Sequence, residues 1–263
     1  MIDFLGVGPD RTGTSTLWRI LQNHPEVSFP VREWHLKYPT DKIEKNLKGI
    51  YWYDWKNFDP ADKEIYESHW DNVGVRGEIC ATYSKFADRI FSVYPDIKII
   101  LTWRDPVKRF VSHLSLLKSQ VFERRFSTYI LSHVADPFNQ DPIANKKIEE
   151  FIGKYTADTF VDAVENYFLH GEDNIFLDSI LPIGHPDQLL EWESKTKNLL
   201  VLPSDTLYHD QAQAVDIVTS FLGVSNFTVP DTLHFNKRPK IELSDQVLEK
   251  VNLFYSLPLT YGK

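Results

Sequence analysis

The sequence is poor in cysteine and has no long apolar run. Its single cysteine, Cys80, excludes an intramolecular disulfide and argues against a zinc site of cysteine and histidine ligands. No apolar run approaches the ~18 residues of a membrane span. The first residues, Met1–Phe4, lack the basic stretch that opens a secretory signal. We therefore expect a cytoplasmic protein without a membrane span.

Basic residues are also scarce relative to acidic ones. The 263 residues include 29 Lys and Arg against 37 Asp and Glu, which gives a formal net charge of −8. This balance argues against a broad nucleic-acid-binding surface, although a local basic pocket is compatible with it. The hydrophobic fraction of 42% and the charged fraction of 25% are those of a globular protein and exclude disorder. The composition carries no signal of an oligomeric state.

Short apolar runs alternate with helical patterns along the chain. Ile2–Val7 is typical of a buried strand, and Leu17, Ile20 and Leu21 follow it at helical spacing. Ile97–Trp103 predicts a second strand. Further helices are predicted around Phe86–Val93, Phe110–Leu117, Phe160–Phe168, Ala212–Leu222 and Val247–Phe254 (with Ser244 as the N-cap), and a further strand over Asn198–Leu202.

This alternation predicts βαβ units and therefore an α/β fold. We expect a three-layer P-loop-like fold with a central parallel sheet flanked by helices. Residues 30–72 and 122–155 show no clear strand, and nothing in the sequence indicates a domain boundary. We therefore expect a single domain over residues 1–263, with its ligand at the carboxyl ends of the strands.

The first strand-to-helix loop, Gly8–Ser15, has the glycine spacing of the nucleotide P-loop G-x-x-x-x-G-K-[ST]. Thr14 replaces the lysine that reaches the terminal phosphates of a nucleotide, and we find no Asp to hold Mg²⁺ at the end of the Ile97 strand. Backbone N–H groups at a helix N-terminus still form an anion site. The residues predicted to bind a phosphate are Arg11, Thr12, Gly13, Thr14, Ser15 and Thr16.

The second strand runs into a further candidate anion site. Arg104 follows the strand directly, Asp105 is a candidate N-cap, and Ser112 lies two turns into the helix that follows. The fork of donors on Arg104 suits a phosphate, and Ser112 would add a hydroxyl. Arg109 lies between them, and a surface or structural ion pair is the alternative interpretation of this residue.

The two loops, in this order, resemble those of the sulfotransferases that use 3′-phosphoadenosine 5′-phosphosulfate (PAPS). Gly8–Leu17 is similar to the 5′-phosphosulfate loop of that family, and Arg104–Ser112 matches its 3′-phosphate motif R-D-P-x-x-R-x-x-S. The chain is most similar to the heparan-sulfate type and its bacterial relatives. Further matching segments are Glu33–His35, Gly49–Tyr53, Gly77–Tyr83, Gln188–Trp192 and Asn236–Arg238.

The resemblance implies in-line transfer of a sulfuryl group from PAPS to an acceptor hydroxyl or amine, leaving 3′-phosphoadenosine 5′-phosphate (PAP). Glu33 holds the general-base position of the family, His35 would orient Glu33 or touch the acceptor, and Arg11 would meet the developing charge. The resemblance implies that no metal is needed. Beyond the first loop, the donor would be held by Arg104, Ser112, Asn236, Lys237 and Arg238. Three positions depart from the family pattern: the family often has Lys at the position of Arg11, heparan-type enzymes have Lys at the position of Ile79, and a Tyr is usual at the position of His185. The C-terminal segment also lacks the cysteine pair of the animal enzymes.

The acceptor is less well defined. The acidic composition favours a saccharide, a glycolipid head group or a small alcohol over a polyanion. Weaker site candidates are His113, His185 and Glu78, and the aromatic residues at positions 51–55. Two other functions remain open: an NTP-dependent kinase, and a P-loop-like nucleotide-binding protein without transferase activity.

Overall fold

The computed structural model describes residues 1–30, 32–35, 38–43, 59–71, 73–122, 146, 150–229 and 240–259. The chain divides into two compact units. The first unit comprises Met1–Arg104 and Gln188–Asn236, and the second comprises Asp105–Asp187 and Lys237–Lys263. The prediction of a single domain over residues 1–263 stays a prediction.

The first unit contains a five-stranded parallel sheet. Its strands are β1 (Phe4–Val7), β2 (Val27–Ser28), β5 (Val75–Cys80), β6 (Lys98–Trp103) and β7 (Leu199–Pro203), in the order β2-β5-β1-β6-β7. A separate antiparallel pair is formed by β3 (Arg32–His35) and β4 (Tyr38–Ile43). Val7, at the end of the central strand β1, lies in register with Cys80 and Leu101. The carboxyl ends of three neighbouring strands therefore meet at one edge of the sheet.

Successive side chains along the strands point to opposite faces of this sheet, and each face is covered by an apolar layer. Leu5 and Val7 belong to one apolar layer, whereas their neighbour Phe4 belongs to the opposite layer. The first layer includes residues of α2 (Lys63–Glu67), α3 (Ala87–Val93) and α7 (Pro186–Lys195). The second includes residues of α1 (Thr14–Leu21), α8 (Ser204–His209) and α9 (Gln211–Leu222). The predicted three-layer α/β architecture is thus confirmed in this unit.

The second unit is built from helices around its own core. They are α4 (Pro106–Phe122), α5 (Phe160–His170), α6 (Ile175–Ile180) and α10 (Asp245–Ser256). Phe110, Phe160, Phe176 and Val247 are among its fully buried residues. Burial of such large side chains is the main driving force for packing these helices.

Several sequence predictions need correction. The segment from residue 30 to 72 contains β3 and β4, which escaped notice because their short, polar sequences lack an alternating pattern. Ser244 is the N-cap of α10 as predicted, although its side chain makes no capping hydrogen bond. Neither α6 nor α8 was predicted, since each has only six residues and too few turns for a helical period. Within the described residues, no helix is both long and apolar enough to cross a membrane.

Candidate functional site

Glycine shapes the loop between β1 and α1. Gly8 has a φ of +152°, and a Cβ on it would collide with side-chain and backbone oxygens of Thr102. Gly13 is the N-cap of α1 and has a φ of +103°. Residues with a side chain rarely adopt such backbone angles. The two glycines therefore let the chain turn tightly onto the N-terminus of α1, where backbone N–H groups favour an anion.

Arg11 is held in a conformation that a side chain disfavours. Its φ is +75°, and among the described residues it alone has a positive φ without being glycine. The left-handed conformation costs a non-glycine residue about 1–2 kcal/mol. Strain of this kind persists only where surrounding structure enforces it, and it is concentrated at functional sites.

Internal hydrogen bonds enforce the shape of this loop. The hydroxyl of Thr12 donates to the carbonyl oxygen of Pro9 at 2.7 Å, and the N–H of Thr12 points to the same oxygen at 3.3 Å. The hydroxyl of Thr102 lies 2.7 Å from that of Thr12. Thr12, predicted to contact a ligand, is only 1% exposed and uses both of its donors inside the protein. These bonds stabilise the loop, and the predicted contact of Thr12 with a ligand stays a prediction.

A serine that the sequence analysis missed completes this bracing. The hydroxyl of Ser204, the first residue of α8, lies 2.6 Å from the carbonyl oxygen of Thr12 and 2.9 Å from that of Trp103. Ser204 therefore ties the first loop to the end of β6. No local motif marks this residue, and its partner Thr12 lies 192 positions away in the chain.

Arg104 brings a second positive charge to the first loop. Its Nη1 donates to the carbonyl oxygen of Arg11 at 3.3 Å. Its Nε is buried and has no hydrogen-bond partner, and Arg104 forms no ion pair with any residue that the structure describes. A buried donor without a partner is costly. Because Arg104 as a whole is half-buried and its charge is not paired with a described carboxylate, we expect this charge to interact with an anion at the loop.

Tyr208 on α8 is a second residue that the sequence analysis missed. Its hydroxyl oxygen lies 3.5 Å from the position that a Cβ on Gly13 would take. The Cζ of Arg104 lies 5.9 Å from the centre of the Tyr208 ring, within the range of a cation–π contact. Burial raises the pKa of the Tyr208 phenol, and the nearby charges of Arg104 and Arg11 offset this only in part. Tyr208 therefore keeps its proton at neutral pH.

The other predicted residues of the first loop lie on α1. Thr14 and Thr16 are buried, whereas Ser15 is half-buried. Glu78 on β5 is fully buried and accepts a hydrogen bond from the hydroxyl of Tyr66 at 2.9 Å. Its prediction as a partner of a basic group remains untested.

In the second unit, Asp105 caps the start of α4 as predicted, and Arg109 lies inside the unit. The side chain of Asp105 accepts from the N–H of Lys108 at 2.8 Å, which is an N-cap bond. Arg109 is fully buried. Its guanidinium lies 3.0 Å from Nδ1 of His113 and donates to the carbonyl oxygen of Ile180 at 2.8 Å and to the Tyr255 hydroxyl at 3.2 Å. Arg109 is therefore structural; it is held by these hydrogen bonds and not by an ion pair with any described residue, and its Nε has no hydrogen-bond partner.

The two histidine candidates also serve the packing of this unit. His113 is fully buried beside Arg109. His185 is 1% exposed, accepts from the N–H of Asp187 at 3.2 Å and lies 3.4 Å from the carbonyl oxygen of Phe254. Ser112 lies on α4 and is half-buried. Its predicted contact with a phosphate stays a prediction.

For several predicted site residues, the structure describes no side chain. For Glu33 and His35 the structure gives their place on β3 and nothing of their side chains. The segment Asn236–Arg238, which contains Lys237, and the aromatic residues at positions 51–55 are not among the described residues. The roles predicted for all of these stay predictions.

No group of three or more His, Cys, Asp or Glu side chains lies close enough to hold a metal ion within the described ranges. The positive charge found at the first loop comes from arginine. Whether the chain works without a metal stays a prediction.

Comparison with known proteins identifies relatives of this chain. The profile described as "Sulfotransferase family" matches residues 4–162, more than half of the chain. No curated protein matches the sequence. Among solved structures, a sulfotransferase from Alicyclobacillus acidocaldarius is 20% identical, with a TM-score of 0.50 over 97% of this chain and 92% of that one. This level of likeness shows the fold alone.

Two further structures are more distant. The sulfotransferase domain from the curacin biosynthetic pathway is 13% identical, with a TM-score of 0.46 over 100% of this chain and 93% of that one. Mouse sulfotransferase SULT7A1, complexed with PAP, is 14% identical, with a TM-score of 0.42 over 96% of this chain and 63% of that one.

Proposed function

This chain belongs to the sulfotransferase family, and we propose that it uses PAPS to transfer a sulfuryl group to an acceptor hydroxyl or amine. The observation that carries the choice of donor is the contact between two arginines at the first loop. Arg104 is half-buried, donates to the backbone of Arg11 and forms no ion pair with a described residue. Two guanidinium groups beside a helix N-terminus suit a donor that carries several negative charges.

The residues present fit such a donor. Gly8 and Gly13 keep side chains off the backbone of the loop, and the strained conformation of Arg11 is held by the bracing bonds of Thr12. Thr14 replaces the P-loop lysine, which disfavours the terminal phosphates of ATP as the ligand. We therefore place the 5′ end of the donor at Gly13–Ser15 and assign Arg11 and Arg104 to its negative charge.

PAPS supplies the sulfuryl group in an activated form, as a mixed anhydride of sulfate and phosphate. The chain's residues bind this donor, stabilise negative charge and remove the proton of the acceptor. We assign charge stabilisation to Arg11, because a preorganised cation acts without reorganisation during the reaction. We assign the proton to Glu33 on β3, which carries the E-x-H motif of the family; general-base help is worth roughly 10²–10⁴ in rate. His35, on the same strand, would orient Glu33 or contact the acceptor.

We propose a saccharide, a glycolipid head group or a small alcohol as the acceptor. The net charge of −8 supports an acceptor that is not itself strongly anionic. Aromatic residues at positions 51–55 lie in the segment next to the E-x-H motif and suit stacking on a sugar ring.

The first experiment titrates the purified full chain with PAP by calorimetry, with ATP–Mg²⁺ and AMP as controls. We expect PAP to bind in the micromolar range and more tightly than either control. Tighter binding of ATP–Mg²⁺ would favour the kinase alternative. A folded protein that binds no PAP would contradict PAPS as the donor.

The second experiment tests Glu33 with labelled PAPS and a panel of saccharides and small alcohols. Glu33→Gln keeps the size of the side chain and removes its basicity. We expect PAP affinity to remain within twofold of the wild type while sulfated product is lost. Wild-type turnover in Glu33→Gln would refute the base, and loss of PAP binding would mean that Glu33 holds the donor.

A further inference from the structure

Tyr208 lies close to residues of both loops, although it belongs to neither of their motifs. Tyr208 lies on α8, in a part of the chain that carries no phosphate-binding motif. It nevertheless approaches the first loop through Gly13 and the end of β6 through Arg104. We propose that Tyr208 is a donor-binding residue whose hydroxyl donates a hydrogen bond to the 5′ group held at the N-terminus of α1. This inference rests on the proposed function.

The position of the hydroxyl selects the 5′ end of the donor. The Tyr208 oxygen and Cζ lie 3.5 and 3.7 Å from the position of a Cβ on Gly13. Gly13 is the N-cap of α1 and directly precedes the N–H groups of the first turn. A group bound to those N–H groups is within the reach of a hydroxyl at this place.

The hydroxyl is also uncommitted in the described structure. Tyr208 is half-buried, and its oxygen makes no hydrogen bond with any residue that the structure describes. Buried tyrosine hydroxyls usually find a partner. Burial outweighs the two arginines and leaves the pKa of the phenol raised, so the hydroxyl is a neutral donor at physiological pH. An anionic oxygen is the partner that suits such a donor.

The ring of Tyr208 interacts with Arg104, whereas its hydroxyl lies near Gly13. The Arg104 guanidinium carbon lies 5.9 Å from the ring centre, so the ring limits where the side chain of Arg104 can go. Removing the hydroxyl alone and removing the whole ring should therefore have different effects. This difference makes a two-variant experiment informative.

The test compares Tyr208→Phe and Tyr208→Leu with the wild type in the full chain, using three probes. PAP carries both terminal groups, AMP lacks the 3′-phosphate, and 3′-AMP lacks the 5′-phosphate. Tyr208→Phe should weaken PAP and AMP by the same factor, about tenfold for a hydrogen bond to a charged group. Its affinity for 3′-AMP should stay within twofold of the wild type. Tyr208→Leu should weaken all three probes, because it also frees Arg104.

Tyr255→Phe is the matched control. Tyr255 also pairs with an arginine, and its hydroxyl is already used by Arg109 and by the carbonyl oxygen of Leu181. We expect this variant to keep its affinity for PAP. The midpoint of urea unfolding should be unchanged in Tyr208→Phe, which shows that its loss of binding is not a loss of folding.

Each outcome decides between the inference and the function on which it rests. Unchanged PAP affinity in Tyr208→Phe, with tight binding by the wild type, would overturn the inference and leave the proposed donor intact. An equal loss for 3′-AMP and PAP would place the hydroxyl at the other end of the donor and also overturn it. No PAP binding by the wild type would instead reject the proposed donor.

Discussion

Two arginine–tyrosine pairs, both involving the R-D-P-x-x-R motif, differ in how completely their hydrogen bonds are satisfied. Both arginines have a buried Nε without a hydrogen-bond partner. In the first unit, Arg104 is half-buried and donates one hydrogen bond, to Arg11, and the Tyr208 hydroxyl bonds to none of the described residues. In the second unit, Arg109 donates to the Tyr255 hydroxyl, which in turn donates to the carbonyl oxygen of Leu181. The half-buried guanidinium of Arg104 therefore keeps most of its donors for a ligand, whereas the fully buried guanidinium of Arg109 donates mainly to groups of the protein itself.

This contrast separates binding from stability. A pair that is already satisfied contributes to folding, and its loss leaves buried acceptors without donors. A pair with unused hydrogen-bond donors finds acceptors for them only when a ligand binds. The following variants test this difference, and the two arginines receive the same substitution.

The largest effect is expected from Arg109→Met, which keeps the length of the side chain and removes its donors. The carbonyl oxygen of Ile180 and the hydroxyl of Tyr255 lose a donor in a buried site. We expect a loss of about 3 kcal/mol in the free energy of unfolding, measured by urea denaturation. A loss below ~1 kcal/mol would show that the buried network stabilises little.

Arg104→Met is the counterpart, and we expect its effect in binding. The affinity for PAP should fall roughly 10- to 100-fold, as for the loss of hydrogen bonds to a charged group. The free energy of unfolding should change by less than about 1 kcal/mol, since the one hydrogen bond lost, to Arg11, is long at 3.3 Å. Calorimetry and urea denaturation of the same preparation measure the two effects. An Arg104→Met variant that binds PAP as tightly as the wild type would show that Arg104 does not bind the donor.

Tyr255→Phe should give a smaller loss of stability than Arg109→Met. The carbonyl oxygen of Leu181 loses its donor, while Arg109 keeps Ile180 as an acceptor. We expect the free energy of unfolding to fall by about 1–2 kcal/mol, because one buried acceptor is left unsatisfied. The same urea curves measure this loss. An unchanged unfolding midpoint would argue that this hydroxyl is not needed to hold the second pair.

The smallest effect concerns the strain at Arg11. Arg11→Gly and Arg11→Ala both remove the charge, but only glycine adopts a φ of +75° without strain. We expect the glycine variant to be more stable than the alanine variant by about 1 kcal/mol. Both should lose PAP affinity to a similar degree. Equal stability of the two variants would mean that the loop relaxes when the arginine side chain is absent.

The local parts of this structure were predictable from the sequence. The spacing of Gly8 and Gly13 predicted the first loop, and the apolar runs predicted β1 and β6, because a strand or a tight turn depends on residues close together in the chain. Asp105 was recognised as an N-cap for the same reason. The family match over residues 4–162 agrees with the resemblance that these motifs carried.

Individual roles within the motifs were not predictable in the same way. The hydrogen bond from the Thr12 hydroxyl to Pro9, which stabilises the loop, was not predicted. Ser204 and Tyr208 carried no signal at all. They approach the first loop because β7 and α8 pack beside it after almost 200 intervening residues.

The sequence by itself determined the strand–loop–helix junctions and their preference for an anion, since both arise from glycine, hydroxyl and arginine residues within a few positions. The tertiary structure decided the surroundings of each arginine. Arg104 and Arg109 are five positions apart, and their different surroundings come from distant segments, Tyr208 for one and Ile180 and Tyr255 for the other. Burial and hydrogen-bond partners are properties of the packed chain, and on these properties we propose a binding role for Arg104 and a structural role for Arg109.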